Sequence, residues 1–236
     1  NGDRDMVLVS LGLGAAYDGL VHALEDELSV IAGRDLTGQV LLTTTHSHSA
    51  PGGQHGSMHF APGFDRYDPR IAARIVAQVS AVASKAFDTL EPVEIGVGVV
   101  HEFDPIGVDE VFVDRRSQND TLTDHHGNAT GGGHKDPSIH VIKIQKPGAG
   151  PLAVVLQMGI HGTLFGASNH WTHWDAPGAI AHGLSMAMGG TPVVFVQGSG
   201  GDIKPVRVGP AFAAADRLAR VAAQKLEGFV EVIETS

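Results

Sequence analysis

The opening of the chain constrains its fold more than any other stretch. Residues 6–10 (Met-Val-Leu-Val-Ser) form a short apolar run that reads as a buried strand. Leu20, Leu24, Leu28 and Ile31 then recur at helical spacing within residues 15–31, and a second apolar run covers residues 39–43. Strand, helix and strand in this order form a parallel βαβ unit, because a parallel pair needs a long crossover. That commits the chain to the α/β class.

The remainder repeats the theme. Asp68-Pro69 is a helix start with Pro in the first turn, and Ile71, Ile75, Val79 and Val82 carry the helix to about Leu90. Residues 93–100 read as a strand, and residues 118–135, rich in Gly, His and Asp, as an exposed loop. Strands at 139–144 and 152–158 flank a Pro-Gly turn and make a hairpin. A polar loop at 159–175 precedes a helix at 177–188, a strand at 193–196, a Gly-rich turn at 198–205 and a last amphipathic helix at 211–226. The expected architecture is a mixed, largely parallel sheet flanked by helices, with one β-hairpin. Ligand sites in such sheets gather beyond the carboxyl ends of strands, which directs attention to the loops at 44–56, 161–175 and 198–205.

Composition narrows the chemistry. The formal charge of −10 excludes the basic surface of a nucleic-acid binder, and no apolar run approaches the roughly 20 residues that span a bilayer. With no Cys and 14 His, any metal must be held by His, Asp, Glu or Tyr. The start at Asn1-Gly2-Asp3-Arg4 carries neither Met nor a signal peptide, and reads as that of a processed, trimmed or partial chain.

Three segments carry the candidate chemistry. In Thr45-His46-Ser47-His48-Ser49-Ala50-Pro51 two His at i, i+2 point the same way along extended chain. They suit paired metal ligands, or one ligand and one acid/base, and His55 and His59 lie close in sequence. The second segment places His161 directly after a strand, with Asn169, His170, His173 and Asp175 following. The third, Gly198-Ser199-Gly200-Gly201-Asp202-Ile203-Lys204-Pro205, is a Gly-rich turn whose backbone can approach a ligand closely. It lacks the spacing of a phosphate-binding loop.

Taken in order, the three segments resemble the neutral/alkaline, non-lysosomal ceramidases. The family's first loop reads Thr-His-Thr-His-Ser-Gly-Pro, where this chain has residues 45–51. Its second signature, a His-Pro-type step followed by Asn and Gly-Asp-Asn-x-x-Gly, falls on His161-Gly162, Asn169 and Trp174-Asp175-Ala176-Pro177-Gly178. The third, Gly-Asp-Val-Ser-Pro-Asn, falls on residues 201–206. Val113-Asp114-Arg115-Arg116-Ser117 and Asp136-Pro137 are weaker matches between them.

The resemblance implies a zinc-dependent hydrolase of an amide bond acting on a small-molecule or lipid amide, with peripheral membrane contact and a secreted or periplasmic location. It implies zinc ligation by His46 and His161, with His48 beside the metal, Asp202 orienting the catalytic loop, and Arg115 or Arg116 on a polar head group. Lys204 stands where the family has a Ser that acts on the water or the amide, so His48 and Lys204 are expected to stabilise the oxyanion. The family also draws a Glu and a Tyr ligand from a region well downstream. Residues 1–236 are therefore expected to be one α/β domain, the N-terminal portion of a larger catalytic domain, or else to complete the site locally with Asp175, His173 or His170. Three other readings are compatible with these residues: a non-catalytic metal- or lipid-binding member of the family, a metal-dependent esterase or phosphoesterase, and an α/β scaffold whose His merely decorate its loops.

Overall fold

The computed structural model describes residues 5–57, 59, 61–105, 108–114, 135–166 and 169–236. Arg115, Arg116 and residues 118–134 of the loop expected over 118–135 lie outside the described residues; Lys135, expected in that exposed loop, is buried.

The opening unit forms as its pattern requires. Strands β1 (Val7–Leu11) and β2 (Val40–Thr44) pair in parallel, joined through helix α1 (Asp18–Ala32). Leu20, Leu24 and Leu28 are fully buried on one face of α1 and pack with Leu13, Leu36 and Val40. Burying each such side chain stabilises by about 1.5–3 kcal/mol. The short helix α2 (Ala61–Phe64) follows, then α3 (Pro69–Asp88), which adds Val79 and Ala83 to the same core. The start of α3 is the one expected from sequence. Asp68 caps it by accepting from Arg70 N at 2.9 Å, and Pro69 occupies the first position, where its missing N–H leaves nothing unpaired.

A second core lies around a four-stranded sheet of order β3-β5-β6-β7: β3 (Glu94–Val100), β5 (Ile139–Gln145), β6 (Pro151–Met158) and β7 (Val193–Gln197). The β5–β6 pair is the expected hairpin, β3 joins it antiparallel, and β7 runs parallel to β6. Helices α4 (Asp175–Ala187) and α5 (Ala211–Val232) bury Ile180, Leu184, Leu218 and Leu226 against Val141, Leu156 and Phe195. Two three-residue strands, β4 (Phe112–Asp114) and β8 (Ile203–Pro205), form a separate antiparallel pair. Among the described residues, two ladders are parallel and three antiparallel. The class is mixed α/β as expected, with a larger antiparallel share than the sequence pattern suggests, because β3 and the β4–β8 pair add antiparallel ladders.

The cores meet along a polar seam. Pro192 O and Gly198 N bond to β6, so the odd-numbered residues of β7 face the other edge. There Phe195 O accepts from Ser10 Oγ at 2.7 Å and Gln197 N donates to Thr43 Oγ1 at 3.2 Å. Ser10 and Thr43 are register partners in β1 and β2. Their hydroxyls thus satisfy backbone groups of an edge strand that would otherwise need a further ladder.

A buried ion cluster holds β4 against the second core. The fully buried Asp104 accepts from the backbone N–H groups of Glu110, Val111 and Phe112 at 2.9–3.0 Å. Lys135, almost as buried, donates to Asp104 at 3.2 Å, to Asp109 at 2.6 Å and to Phe112 O at 2.8 Å. Burial raises the Asp104 pKa, but the three N–H donors and the Lys135 charge outweigh it and hold the carboxyl below its ordinary value. No described helix is long and apolar enough to cross a membrane.

Candidate metal centre

The carboxyl ends of β1, β2, β6 and β7 open onto one region, and the His-bearing loops leave from two of them. After β2, Thr45 N donates to Leu11 O at 3.0 Å and Ser47 N to Leu13 O at 3.2 Å. The chain is therefore clamped to the segment after β1 on both sides of His46. His46 itself has φ 52°, in the left-handed region. A non-Gly residue there costs on the order of 1–3 kcal/mol and persists where its surroundings dictate it.

The second His-bearing loop is fastened to the first. Ser47 forms a parallel bridge with Gly162, His48 N donates to Gly162 O at 2.9 Å, and Ser47 Oγ donates to His173 O at 2.6 Å. Asn169 Nδ2 donates to Ser49 Oγ at 3.1 Å, and His173 N to Ser49 O at 3.0 Å. A Cβ on residue 162 would lie 2.5 Å from His46 O, so only Gly permits this approach. On its other side His161 N donates to Ile203 O at 3.1 Å, which ties this loop to β8.

These contacts bring His46, His48 and His161 together, with ring centroids 4.6, 4.9 and 5.2 Å apart. Their ligand nitrogens all lie within 4.8 Å of one another, and among the described residues this is the group able to hold a metal. Two of the rings are fixed in a definite tautomer. His46 Nδ1 contacts Gly14 O at 2.5 Å, and His161 Nδ1 contacts Gly200 O at 3.1 Å. A carbonyl oxygen only accepts, so each Nδ1 carries the proton and each Nε2 presents a lone pair. Metal-bound imidazoles are held in this way, with the far N–H on a backbone carbonyl.

His161 Nε2 stands 3.1 Å from His48 Nε2. Two nitrogens each about 2.0–2.1 Å from one tetrahedral ion lie about 3.3 Å apart, so the pair fits a shared cation. His48 is exposed, yet partial desolvation of its ring and then the neighbouring His161 and His46 push its pKa below the ordinary imidazole value, against an opposing pull from Asp175. A neutral ring is the form that ligates.

Other expected participants are placed elsewhere or serve other roles. The buried Asp175 carboxylate accepts from Leu164 N at 2.7 Å, Phe165 N at 3.3 Å and Ala176 N at 2.7 Å. It shapes the loop after His161 and the start of α4, and is not grouped with the three His. His173 Nδ1 accepts from Asp175 N at 2.8 Å, and its ring packs on Phe165 and Phe212. Desolvation lowers the His173 pKa, with Asp175 and Asp216 opposing. His170 is exposed. His55 turns back onto Tyr17, and neither it nor the exposed His59 joins the cluster. Asp202 immediately precedes β8 and Lys204 lies within it; both are half-buried, and Lys204 follows the residue whose carbonyl receives His161 N. Arg115 lies outside the described residues. The carbonyls of Gly14 and Gly200 and the close approach of Gly162 were not foreseen from sequence; only the Gly-rich character of residues 12–14 and 198–201 pointed toward them.

A cleft of about 310 Å³ adjoins the cluster, lined by Gly14, Ser47, His48, residues 50–52 and residues 63–65.

Two solved structures share this fold. One is a neutral ceramidase from Pseudomonas aeruginosa, with a TM-score of 0.75 and 18% identity over 92% of this chain and 35% of that one. The other is a ceramidase complexed with C2, with a TM-score of 0.73 and 17% identity over 93% of this chain and 35% of that one. This chain therefore spans about a third of their length. No protein-family model and no curated protein matches it.

Proposed function

We propose that this chain forms the histidine-bearing part of a zinc-dependent hydrolase that cleaves amide bonds. The observation that carries the reading is the tautomer arrangement. Backbone carbonyls hold the Nδ1–H groups of His46 and His161, which leaves Nε2 as the ligand atom of each neutral ring, and the ligand atoms of these two His and His48 lie within 4.8 Å of one another. The fold shared with ceramidases points to the same chemistry, at a level of identity that speaks only for the fold.

His46 and His161 would hold the metal, with His48 close enough to serve as a third ligand. When bound, zinc supplies Lewis acidity, which acidifies water and polarises a carbonyl. The chain's own groups do the rest. The fastened loops hold the imidazoles without reorganisation, His48 also borders the cleft, and Lys204 would donate to the developing oxyanion. Asp202 orients the turn that carries the Gly200 carbonyl. The same reading makes residues 1–236 a portion of a larger catalytic domain, working on small-molecule or lipid amides outside the cytoplasm with peripheral membrane contact.

Calorimetric zinc titration, with cobalt substitution as a spectroscopic check, tests the metal site. His46→Ala and His161→Ala should each abolish binding, and unchanged affinity in both would overturn the reading. A panel of chromogenic amides and esters then separates amidase from esterase. Lys204 standing where ceramidases have Ser favours a second reading, a binding module without turnover. Amidase activity gained in Lys204→Ser would support that alternative.

A further inference from the structure

The cleft beside His48 carries one formal charge among its described lining residues, that of Asp65. Its walls are Gly14, Ser47, His48, Ala50, Pro51, Gly52, Gly63, Phe64 and Asp65. The wall opposite the metal loop is preorganised by backbone contacts. Gly53 N donates to Phe64 O at 2.6 Å and Asp68 N to Gly53 O at 2.7 Å, and a Cβ on residue 52 would sit 2.4 Å from Phe64 O. Asp65 is thereby held against the loop that continues from His48.

Asp65 adopts φ 65°, a conformation that Gly or Asn would serve at least as well. One carboxylate oxygen meets the local need by accepting from Arg66 N at 2.7 Å. Among the described residues the second oxygen has no hydrogen bond and the carboxylate forms no ion pair. Arg70, the next cation along the chain, is engaged with Asp68 through both carboxylate oxygens, and Arg66 is not among the residues lining the cleft. Asp65 is exposed, and its second carboxylate oxygen is open to a ligand that enters the cleft.

From this we infer that Asp65 is a specificity residue, selecting an amide that carries an ammonium group on the portion lodged in the cleft and disfavouring one that carries an anion there. The inference rests on the hydrolase reading for the word amide, and on the cleft alone for the cation. The carboxylate pairs with the ammonium through charge-assisted hydrogen bonds. The apolar wall from Ala50, Pro51 and Phe64 receives the short carbon chain between that group and the scissile bond. The chain's overall charge of −10 steers the same class of ligand toward the surface.

The test uses two probes of one chain length, butylammonium and 1-butanol, titrated into the protein with and without zinc while the His48 ring resonances are followed by NMR. Butylammonium should bind about 2- to 5-fold more tightly than butanol, as expected for a charge pair at an exposed carboxylate. Asp65→Asn, which keeps the left-handed turn, should erase that preference while leaving the melting temperature and the zinc affinity unchanged. Equal binding of the two probes by the unmodified protein, or a preference that survives in Asp65→Asn, would overturn the assignment. Turnover is measured separately with a matched pair of anilides, one bearing a terminal ammonium and one a methyl group. Cation preference without turnover of either anilide would leave Asp65 in place and remove the hydrolase reading. Turnover without cation preference would do the reverse.

Discussion

The molecule's two cores and the seam between them are built on different principles. Around α1 and α3, and again around α4 and α5, buried Leu, Val, Ile and Ala dominate, and stability comes from apolar area removed from water. Along the seam the contacts are hydroxyls on backbone groups, one isolated bridge and a Gly that lets two backbones touch. The three imidazoles gather at the seam, with His46 and His48 from the first unit and His161 from the second. The difference teaches where specificity of geometry comes from. Apolar packing is non-directional and can shift by fractions of an ångström, whereas hydrogen bonds to fixed carbonyls set both the position and the tautomer of a ring. The cores should therefore govern stability and the seam should govern metal affinity.

The sharpest break of that division comes from inside the second core. Asp104→Ala removes the buried one of Lys135's two carboxylate partners, leaves three backbone N–H groups without their acceptor, and should destabilise by about 3–5 kcal/mol, measured by denaturant unfolding. Because the folded Asp104 pKa is depressed, its stabilisation is complete above the ordinary carboxylate value near 4 and is lost as pH falls through the folded value. The stability of Asp104→Asn should accordingly fall less steeply below pH 4 than that of the unmodified protein.

Leu24→Ala strikes the first core alone. It should cost about 2–5 kcal/mol in unfolding free energy, with zinc affinity, measured where the variant is still folded, within about twofold of the original. A large loss of affinity would show that the two regions are not separable.

Gly162→Ala inverts the comparison. Its Cβ meets the backbone of His46 and Ser47, which has no flexible end to give way. Zinc affinity should drop by about 100-fold or more while the melting temperature moves by only a few degrees, on the order expected for 1–2 kcal/mol. A melting temperature that collapses together with affinity would make the seam part of the folding core.

Ser10→Ala is the mildest probe. It removes one hydroxyl from Phe195 O and should lower stability by about 0.5–1.5 kcal/mol without altering the cobalt spectrum of the site.

Much of this arrangement was legible before the fold was seen. The βαβ unit, the Asp68-Pro69 helix start, the hairpin and the placement of His46 and His161 after strands all follow from periodicity and turn chemistry, which act within a few residues. The strands β4 and β8 escaped notice because three residues offer no measurable alternation, and they exist through pairing with each other. Asp175 looked like a ligand because a carboxylate beside two His in sequence suggests one. Its oxygens instead receive backbone N–H groups, a role invisible without the loop's path.

By itself the sequence determined the class of fold, the location of its reactive loops at strand ends and the reliance on imidazole in a chain without Cys. Only the tertiary structure decided that three of the His converge, which nitrogen of His46 and of His161 meets a backbone carbonyl, and that Asp65 faces the cleft beside them. The physical reason is range: strand and helix patterns are written in neighbouring residues. The Gly14, Gly200 and Gly162 carbonyls reach their partners from 32, 39 and 114 positions away, and only the packed chain brings them within hydrogen-bond distance.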